Sequence, residues 1–307
     1  MIEVVENKIV KDDFFRSEIL NSGYVIAGNI GSEQLERIRK LYGELHNFQK
    51  QDGGMFYSLY SNDLDYRRTV NEQIKTILTQ TYDSLFKEYK TVINSFIVKL
   101  PGPKSDFTLH QDSTGLDEFK FSPLSAWIPI QDTDFENGTL CVIPKTHAFF
   151  HPYRGISFNS PFRDYEDVLR RYLVPIKLKA GDIFLFDNRL VHYSYLNRSA
   201  QPRIIVMSGI FPKEADFISV FKDEKDIQSP IEIYKQTDDF LITGTAFFDN
   251  CTARPYRGEV IEKIYKPLAK ISVYDFLSWA AKNKVEQTNI PELVDAKLTM
   301  QIVSEPI

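Results

Sequence analysis

The sequence predicts a mainly β fold, an antiparallel sandwich or barrel with helices packed against it. Three observations carry that expectation. From residue 91 to about 212, short runs rich in β-branched and aromatic residues follow one another: TVINSFIVKL, SAWIPIQD, TLCVIP, VPIKLK, DIFLFD, LVHYSYL and PRIIVMSGIF. Turn-forming clusters separate them, with Pro-Gly-Pro at 101–103, Asn-Gly at 137–138, Ala-Gly-Asp at 180–182 and Asn-Arg-Ser at 197–199. No helical periodicity intervenes between most of the runs, so turns rather than crossover helices join the strands.

Taken in order, GYVIAGNI (23–30) reads as a short strand and turn. Ser32 can cap a helix through about Phe48, with Leu35, Ile38, Leu41 and Leu45 on one face. A longer helix is expected from about Asn62 to Tyr89, where Tyr66, Val70, Ile74, Ile77, Leu78, Leu85 and Tyr89 recur at helical spacing and would pack over a sheet. Within the strand region, DFENGTL signals a type I′ hairpin, because an Asn-Gly pair accepts positive φ angles. Residues 157–173 interrupt the strand pattern, and RDYEDVLRRYL there reads as a helical or loop insertion. After about residue 213 the chain turns polar, with one more helix expected at SVYDFLSWAAKN. At 307 residues the chain is long for one domain and short for two, so a single domain (1–307) is expected: a helical part at about 20–90, a β core at about 91–212 and a C-terminal extension at about 213–307.

Composition narrows the function class. With 43% hydrophobic and 26% charged residues the chain has enough apolar mass for a packed core and is not a disordered one. A net charge of −5 without a long basic run argues against nucleic acid as the main partner. No apolar run approaches the roughly 18–20 residues that span a bilayer, and the N-terminus lacks a signal-peptide pattern. The two cysteines, Cys141 and Cys251, form neither a CxxC motif nor a disulfide scaffold, which points to a reducing, cytoplasmic setting.

The chain has five histidines, and their contexts differ. In LHQD, His110 and Asp112 stand two apart after the Pro-Gly-Pro turn, so on a strand both side chains would face one centre. O2 activation at non-haem iron uses two His and one carboxylate on one face of an octahedron, so a third ligand is required. His192, in LVHYSYL, is the best candidate. If the following turn centres between Asn197 and Arg198, an antiparallel hairpin sets Arg203 opposite His192, with Ser194 on the same face. A metal ligand, a guanidinium and a hydroxyl on one patch would suit a chelating dicarboxylate: the keto acid end on the metal, the distal carboxylate on Arg203 and Ser194. Each residue alone has a plainer reading, as a chance triplet, a core histidine or a surface salt-bridge partner; their conjunction is what points to a site. His147 and His151 share a zinc-like spacing, but no HExxH glutamate lies between them and Pro152 follows at once. His147 is therefore expected to anchor its loop, and His46 to lie on the surface of the N-terminal helix.

On these residues the sequence resembles the phytanoyl-CoA dioxygenase family of iron(II)- and 2-oxoglutarate-dependent oxygenases, over roughly residues 20–212. Three ordered blocks carry the likeness: LHQDSTG, SAWIPIQDTDFENGTLCVIPKTH and LKAGDIFLFDNRLVHYSYLNRSAQPRI. The resemblance implies a double-stranded β-helix, a jelly roll with helices on one sheet. It implies Fe(II) held by His110, Asp112 and His192. It also implies 2-oxoglutarate against Arg203 and Ser194, a co-substrate contact from Trp127, and O2 as oxidant. Lys145 in IPKTH departs from the glycine the family often has there. Asp112 keeps the carboxylate that related halogenases replace, which favours hydroxylation or a related oxidation. The expected partner is a small-molecule substrate, a metabolite or natural-product intermediate, with release of succinate and CO2. Two other classes stay open at this point: a catalytically inactive metal-binding sensor or scaffold, and a zinc or manganese hydrolase or isomerase on the same triad. Segments 50–62, 102–108, 113–121 and 152–165 are expected at the mouth, with Lys104, Tyr153 and Arg154 read as solvated loop residues first and as anion readers second.

Overall fold

The computed structural model describes residues 4–46, 54–155, 157, 159–223, 225–226, 228–244, 258–266 and 268–294. Helix α1 (Asp13–Ser22) starts at Asp12, whose carboxylate accepts from the Phe15 amide, and stops at Gly23 in the left-handed region. Strand β1 (Tyr24–Asn29) leads into α2 (Gly31–Leu45). Ser32, the expected cap, lies inside the first turn, and the Asn29 side chain takes the Gly31 amide instead. The expected end of α2 near Phe48 falls outside the described residues. After β2 (Met55–Tyr57), α3 (Leu64–Leu85) is capped by Asp63 and buries Val70, Ile74, Ile77, Leu78 and Tyr82. It ends before Tyr89, because Tyr89 opens the eleven-residue strand β3 (Tyr89–Lys99).

Every run read as a strand between 91 and 212 contains one. They are β3, β5 (Leu124–Pro129), β6 (Leu140–Val142), β7 (Val174–Pro175), β8 (Asp182–Asp187), β9 (His192–Ser194) and β10 (Arg203–Pro212), with β4 (Phe107–His110) added. They form two antiparallel sheets, a six-stranded one in the order β1-β8-β5-β10-β3-β2 and a four-stranded one in the order β4-β9-β6-β7. A third sheet of β11 (Phe217–Phe221), β12 (Ile231–Gln236) and β13 (Glu259–Ile264) lies in the stretch read as a polar extension. Short helices α4 (Glu166–Arg170) and α5 (Phe240–Thr243) precede α6 (Val273–Lys282), which has a Ser272–Asp275 capping box, and α7 (Pro291–Val294). Among the described residues no helix is long and apolar enough to cross a membrane.

The alternation of strand side chains explains the layering. One face of the six-stranded sheet, with Phe96, Val98, Ala126, Ile128, Ile183, Leu185 and Val206, packs under Ile38, Leu41, Ile74 and Leu78 of α2 and α3. Its other face, with Ile97, Trp127, Phe184, Phe186 and Ile205, meets Leu140 and Val142 of the four-stranded sheet. Both faces are buried, which is why these strands read as continuous apolar runs rather than as alternating ones. The four-stranded sheet has its own cover: Cys141, Ile143, Tyr193 and Tyr195 pack with Phe149, Leu169 and Phe276 and Trp279 of α6. Helical cover is therefore not confined to one sheet, and part of the C-terminal extension supplies the second layer.

Two hairpins expected from local sequence are not formed. β5 and β6 flank the Asn-Gly pair but belong to different sheets. The turn is built on Asp134, whose backbone and carboxylate bond Thr139 N and Asn137 N, and only Gly138 of the pair has positive φ. Likewise β9 and β10 do not pair: His192 lies opposite His110 on β4, and Arg203 opposite Lys99 on β3. In a jelly roll, successive strands cross between sheets, so a turn signal does not guarantee a ladder between its flanks.

Candidate active site

Between the two sheets lies a cavity of about 400 Å³, and all six residues singled out as site candidates line it: His110, Asp112, Trp127, His192, Ser194 and Arg203. The expected mouth segments contribute Met55, Tyr57, Tyr60, Phe107, Ser113, Tyr153 and Phe162, while residues 50–53 fall outside the described part. Lys104 does not line the cavity.

β4 ends at His110, and β9 begins at His192 as its direct cross-strand partner, so the two imidazoles meet with ring centres 4.1 Å apart. Asp112 follows two residues beyond the end of β4, where its amide donates to Asn188 O at 3.0 Å and its carboxylate accepts from Ser125 Oγ at 3.3 Å. One ligand atom from each of His110, Asp112 and His192 lies within 4.8 Å of the others, close enough to share one ion. Each histidine commits its Nδ1 to a backbone carbonyl, His110 to Thr108 O at 2.8 Å and His192 to Leu190 O at 2.9 Å. Nδ1 is therefore the protonated nitrogen, and the Nε2 lone pairs are free for a metal. Burial and the neighbouring His192 push the His110 pKa well down, which keeps its ring neutral. Two imidazoles that offer Nε2 and one carboxylate fit a ferrous ion with open coordination positions.

The opposite wall supplies the cation. Arg203 is 2% exposed, and its Nη1 donates to Gly138 O at 2.6 Å and to Ser194 Oγ at 3.3 Å, while its Nε has no partner. Its guanidinium carbon sits 5.0 Å over the Trp127 ring. Burial lowers the Arg203 pKa to about 10. A buried guanidinium with an unsatisfied donor and no carboxylate calls for an anion. Ser194 gives its hydroxyl proton to Gly138 O at 2.9 Å, so in this geometry it is an acceptor toward Arg203 rather than a ready donor to a carboxylate. Arg203 thus reaches the site from the facing sheet, not from a hairpin with His192.

Several residues of this site have roles that the sequence reading does not find. Gly138, read only as a turn former, presents the carbonyl that aligns both Arg203 and Ser194. A Cβ there would meet the Tyr195 carbonyl and, at 2.7 Å, the Lys99 Cδ. Lys99 lies in the run TVINSFIVKL, which reads only as a strand. Arg154 is not a solvated loop residue: it is 6% exposed, forms a two-pronged ion pair with buried Glu118, and donates from Nε to Asp112 O at 2.8 Å. Asp187 and Arg189 form a second buried pair, and Gln111 bonds the Arg189 carbonyl. The remaining histidines lie elsewhere. His147 is buried and bonds Leu20 O at 3.1 Å, and His151 bonds Ala269 O. His46 stacks on Tyr42 and meets Phe56 edge-on, so it is not a bare surface residue. Lys145 has φ 69°, the left-handed conformation that favours glycine, which explains the family's preference at that position.

Several known proteins are similar to this chain. A "Phytanoyl-CoA dioxygenase" of Arabidopsis thaliana is 31% identical over 114 residues, which is 35% of this chain and 39% of that protein. A "Phytanoyl-CoA dioxygenase 1" of Oryza sativa subsp. japonica is 30% identical over 133 residues, 41% of this chain and 46% of that protein. The matched stretches thus span less than half of either relative. Among solved structures, the non-heme alpha ketoglutarate dependent carbocyclase SnoK from nogalamycin biosynthesis superposes with a TM-score of 0.50 at 18% identity, covering 67% of this chain and 86% of its own, a likeness of fold. The profile of the Phytanoyl-CoA dioxygenase (PhyH) family matches residues 20–205, from the end of α1 to the third residue of β10. With that span containing the His-Asp-His cluster and Arg203, the chain belongs to the phytanoyl-CoA dioxygenase family, whose iron(II), 2-oxoglutarate and O2 its cavity fits.

Proposed function

We propose that this chain oxidises an uncharged, largely apolar small molecule, by hydroxylation, using 2-oxoglutarate and O2. The observation that carries the reading is the pairing of a three-ligand cluster within 4.8 Å with a buried, incompletely satisfied Arg203 in one cavity. Iron(II), when bound, supplies the O2 chemistry, coupled to conversion of 2-oxoglutarate to succinate and CO2. His110, Asp112 and His192 would hold it, with Ser125 and the two backbone carbonyls fixing ligand orientation. Arg203 would take the distal carboxylate, and Trp127 would wall the co-substrate while facing the guanidinium. A hydrolase or isomerase has no use for that arginine, and the same holds for a metal-binding scaffold.

The substrate class follows from the outer wall. Tyr57, Tyr60, Phe107, Tyr153 and Phe162 line it, with Asn159 and Ser160 as uncharged polar groups. The other cation at the wall, Arg154, is neutralised by Glu118. A substrate recognised there presents rings or hydrocarbon with few polar groups rather than a charged head. Anaerobic addition of iron(II) and then 2-oxoglutarate should produce a weak visible charge-transfer band, and air should then release succinate faster with neutral ring-bearing compounds than with amino acids. No band in the wild-type protein would sink the reading.

A further inference from the structure

Lys99 stands beside the diacid end of the cavity, and nothing in the reaction as read above uses it. It lies opposite Arg203 across β3 and β10 and has no exposed surface. Its ammonium donates to three backbone carbonyls, those of Ser105, Ser194 at 3.0 Å and Tyr195 at 2.8 Å. An ammonium has three protons, and this cage takes all of them. Two of the carbonyls are those of Ser194, the last residue of β9, and of Tyr195 just after it, on the strand that carries His192. A cation rooted in the six-stranded sheet therefore fastens the metal-bearing strand of the other sheet.

The charge is as informative as the geometry. Among the described residues, neither Lys99 nor Arg203 has an ion pair with a carboxylate; burial and, after it, the Arg203 charge push the Lys99 pKa well down, while the three-carbonyl cage favours the ammonium form. The acid nearest in effect to Lys99 is Asp106, which is engaged by the Tyr193 hydroxyl. Two buried cations without a counter-ion are costly in an empty fold and favourable around an anion. The Lys99 stem also packs against Gly138, whose carbonyl aligns Arg203 and Ser194, so all four residues form one unit.

We propose that Lys99 is a positioning residue for the distal carboxylate of 2-oxoglutarate: it holds the Ser194–Gly138–Arg203 cradle in register and adds a fixed positive charge behind it. This rests on the reading of Arg203 as the co-substrate arginine. The test compares 2-oxoglutarate with 2-oxopentanoate, which keeps the 2-oxo acid end and lacks the second carboxylate. Their binding to the iron(II)-loaded protein is measured by anaerobic calorimetry, with circular dichroism and melting of the metal-free protein as a folding control. Wild-type protein should prefer the diacid. Lys99→Gln should weaken 2-oxoglutarate by about tenfold and leave 2-oxopentanoate within about twofold, whereas Lys99→Arg should keep most of the preference. A folded Lys99→Gln with the wild-type ratio, or one that loses both ligands equally, overturns the inference and leaves Arg203 untouched. A wild-type protein with no preference overturns the reading of Arg203 along with it. Should Lys99→Gln not fold, loss of the preference in a folded Lys99→Arg overturns the proposal by itself, since that variant retains the charge.

Discussion

The two sheets that enclose the cavity are built differently. The six-stranded sheet has longer strands, with β10 paired to β3 over ten residue pairs interrupted by one irregularity at Gly209/Ile210, and it lies under two long helices. The four-stranded sheet has strands of two to four residues, and β4 and β9 share only two paired positions. Yet the short strands carry His110, His192 and Ser194, and the long ones carry Arg203, Lys99 and Trp127. Long ladders align the long wall, with side chains such as Ser58, Asn71 and Tyr82 bonding its strands from the helical side. The short wall is held by side-chain struts: Arg154 to Asp112 O, Gln111 to Arg189 O, Lys99 to Ser194 O and Tyr195 O. Geometry at the metal end thus depends on polar contacts outside the ladder, whereas geometry at the cationic end depends on the core.

The sharpest way to break this contrast is a pair of truncations, one in each wall. His192→Ala should abolish iron(II) binding and turnover, while costing the metal-free fold under about 3 kcal/mol, since the ring contacts with Phe186 and His110 and the bond to Leu190 O are lost. Phe96→Ala, in the fully buried six-stranded core, should cost about 3–5 kcal/mol of stability. Below its lowered melting temperature it should still bind iron(II) with near wild-type affinity. Melting curves and anaerobic iron titrations on both variants measure the contrast. A Phe96→Ala protein that is stable but cannot bind iron would overturn it.

A second variant sharpens the role of the struts. Glu118→Gln removes the counter-charge of buried Arg154 and should cost about 3 kcal/mol, because a broken buried pair leaves an uncompensated guanidinium. Arg154 also supports Asp112 through its carbonyl, so iron(II) affinity should fall in the protein that remains folded. Retained affinity, read by titration at a temperature where the variant is folded, would show that Asp112 needs no such support.

Much of this architecture is legible in the sequence. Strands buried on both faces appear as unbroken apolar runs, and with five histidines in the chain the H-x-D pair and His192 stand out. What stays hidden depends on which strands become neighbours. Arg203 was placed beside His192 by assuming that the chain turns back on itself, and it arrives instead from across the cavity. Lys99, Gly138 and the Glu118–Arg154 pair acquire their roles largely through partners between 36 and 96 residues away. Helix α6 is visible as an amphipathic segment, but nothing local says that it covers the outer face of the four-stranded sheet.

Acid should act on the contrast through His147, which joins α1 to the loop after β6. Burial lowers its pKa, with Asp187 opposing and Arg189 reinforcing the shift. The folded value lies below the unfolded one of about 6.5, so between the two the unfolded chain binds more protons. This contribution to stability is present above about pH 6.5 and is lost as pH falls through the folded value. His110, whose pKa desolvation within the cavity and the neighbouring His192 also lower, adds to the same slope in metal-free protein. Melting temperatures of metal-free protein should fall between pH 7.5 and 5.5, and His147→Gln should flatten that fall. An unchanged slope in the variant would remove His147 from the account.

The smallest effect belongs to Lys145, where the helical cover of the short wall is fastened. Its backbone pays for a left-handed φ of 69°, roughly 1 kcal/mol above glycine, while its amide bonds Ser22 O at 2.8 Å. Its ammonium reaches Asn283 O at 2.7 Å, at the end of α6. Lys145→Gly relieves the strain but loses that bond, worth about 1 kcal/mol, and frees the unfolded chain by a further few tenths. The net change should therefore lie within about 1 kcal/mol of zero. Lys145→Met keeps the strain and loses only the bond, so it should be the less stable of the two by up to about 1 kcal/mol. Denaturant melts of both variants separate backbone strain from the lysine's hold on α6, because the two terms enter with opposite signs in one variant and singly in the other. If Lys145→Met matches wild type, the ammonium contributes nothing, and α6 is held on the short wall by Phe276 and Trp279 alone.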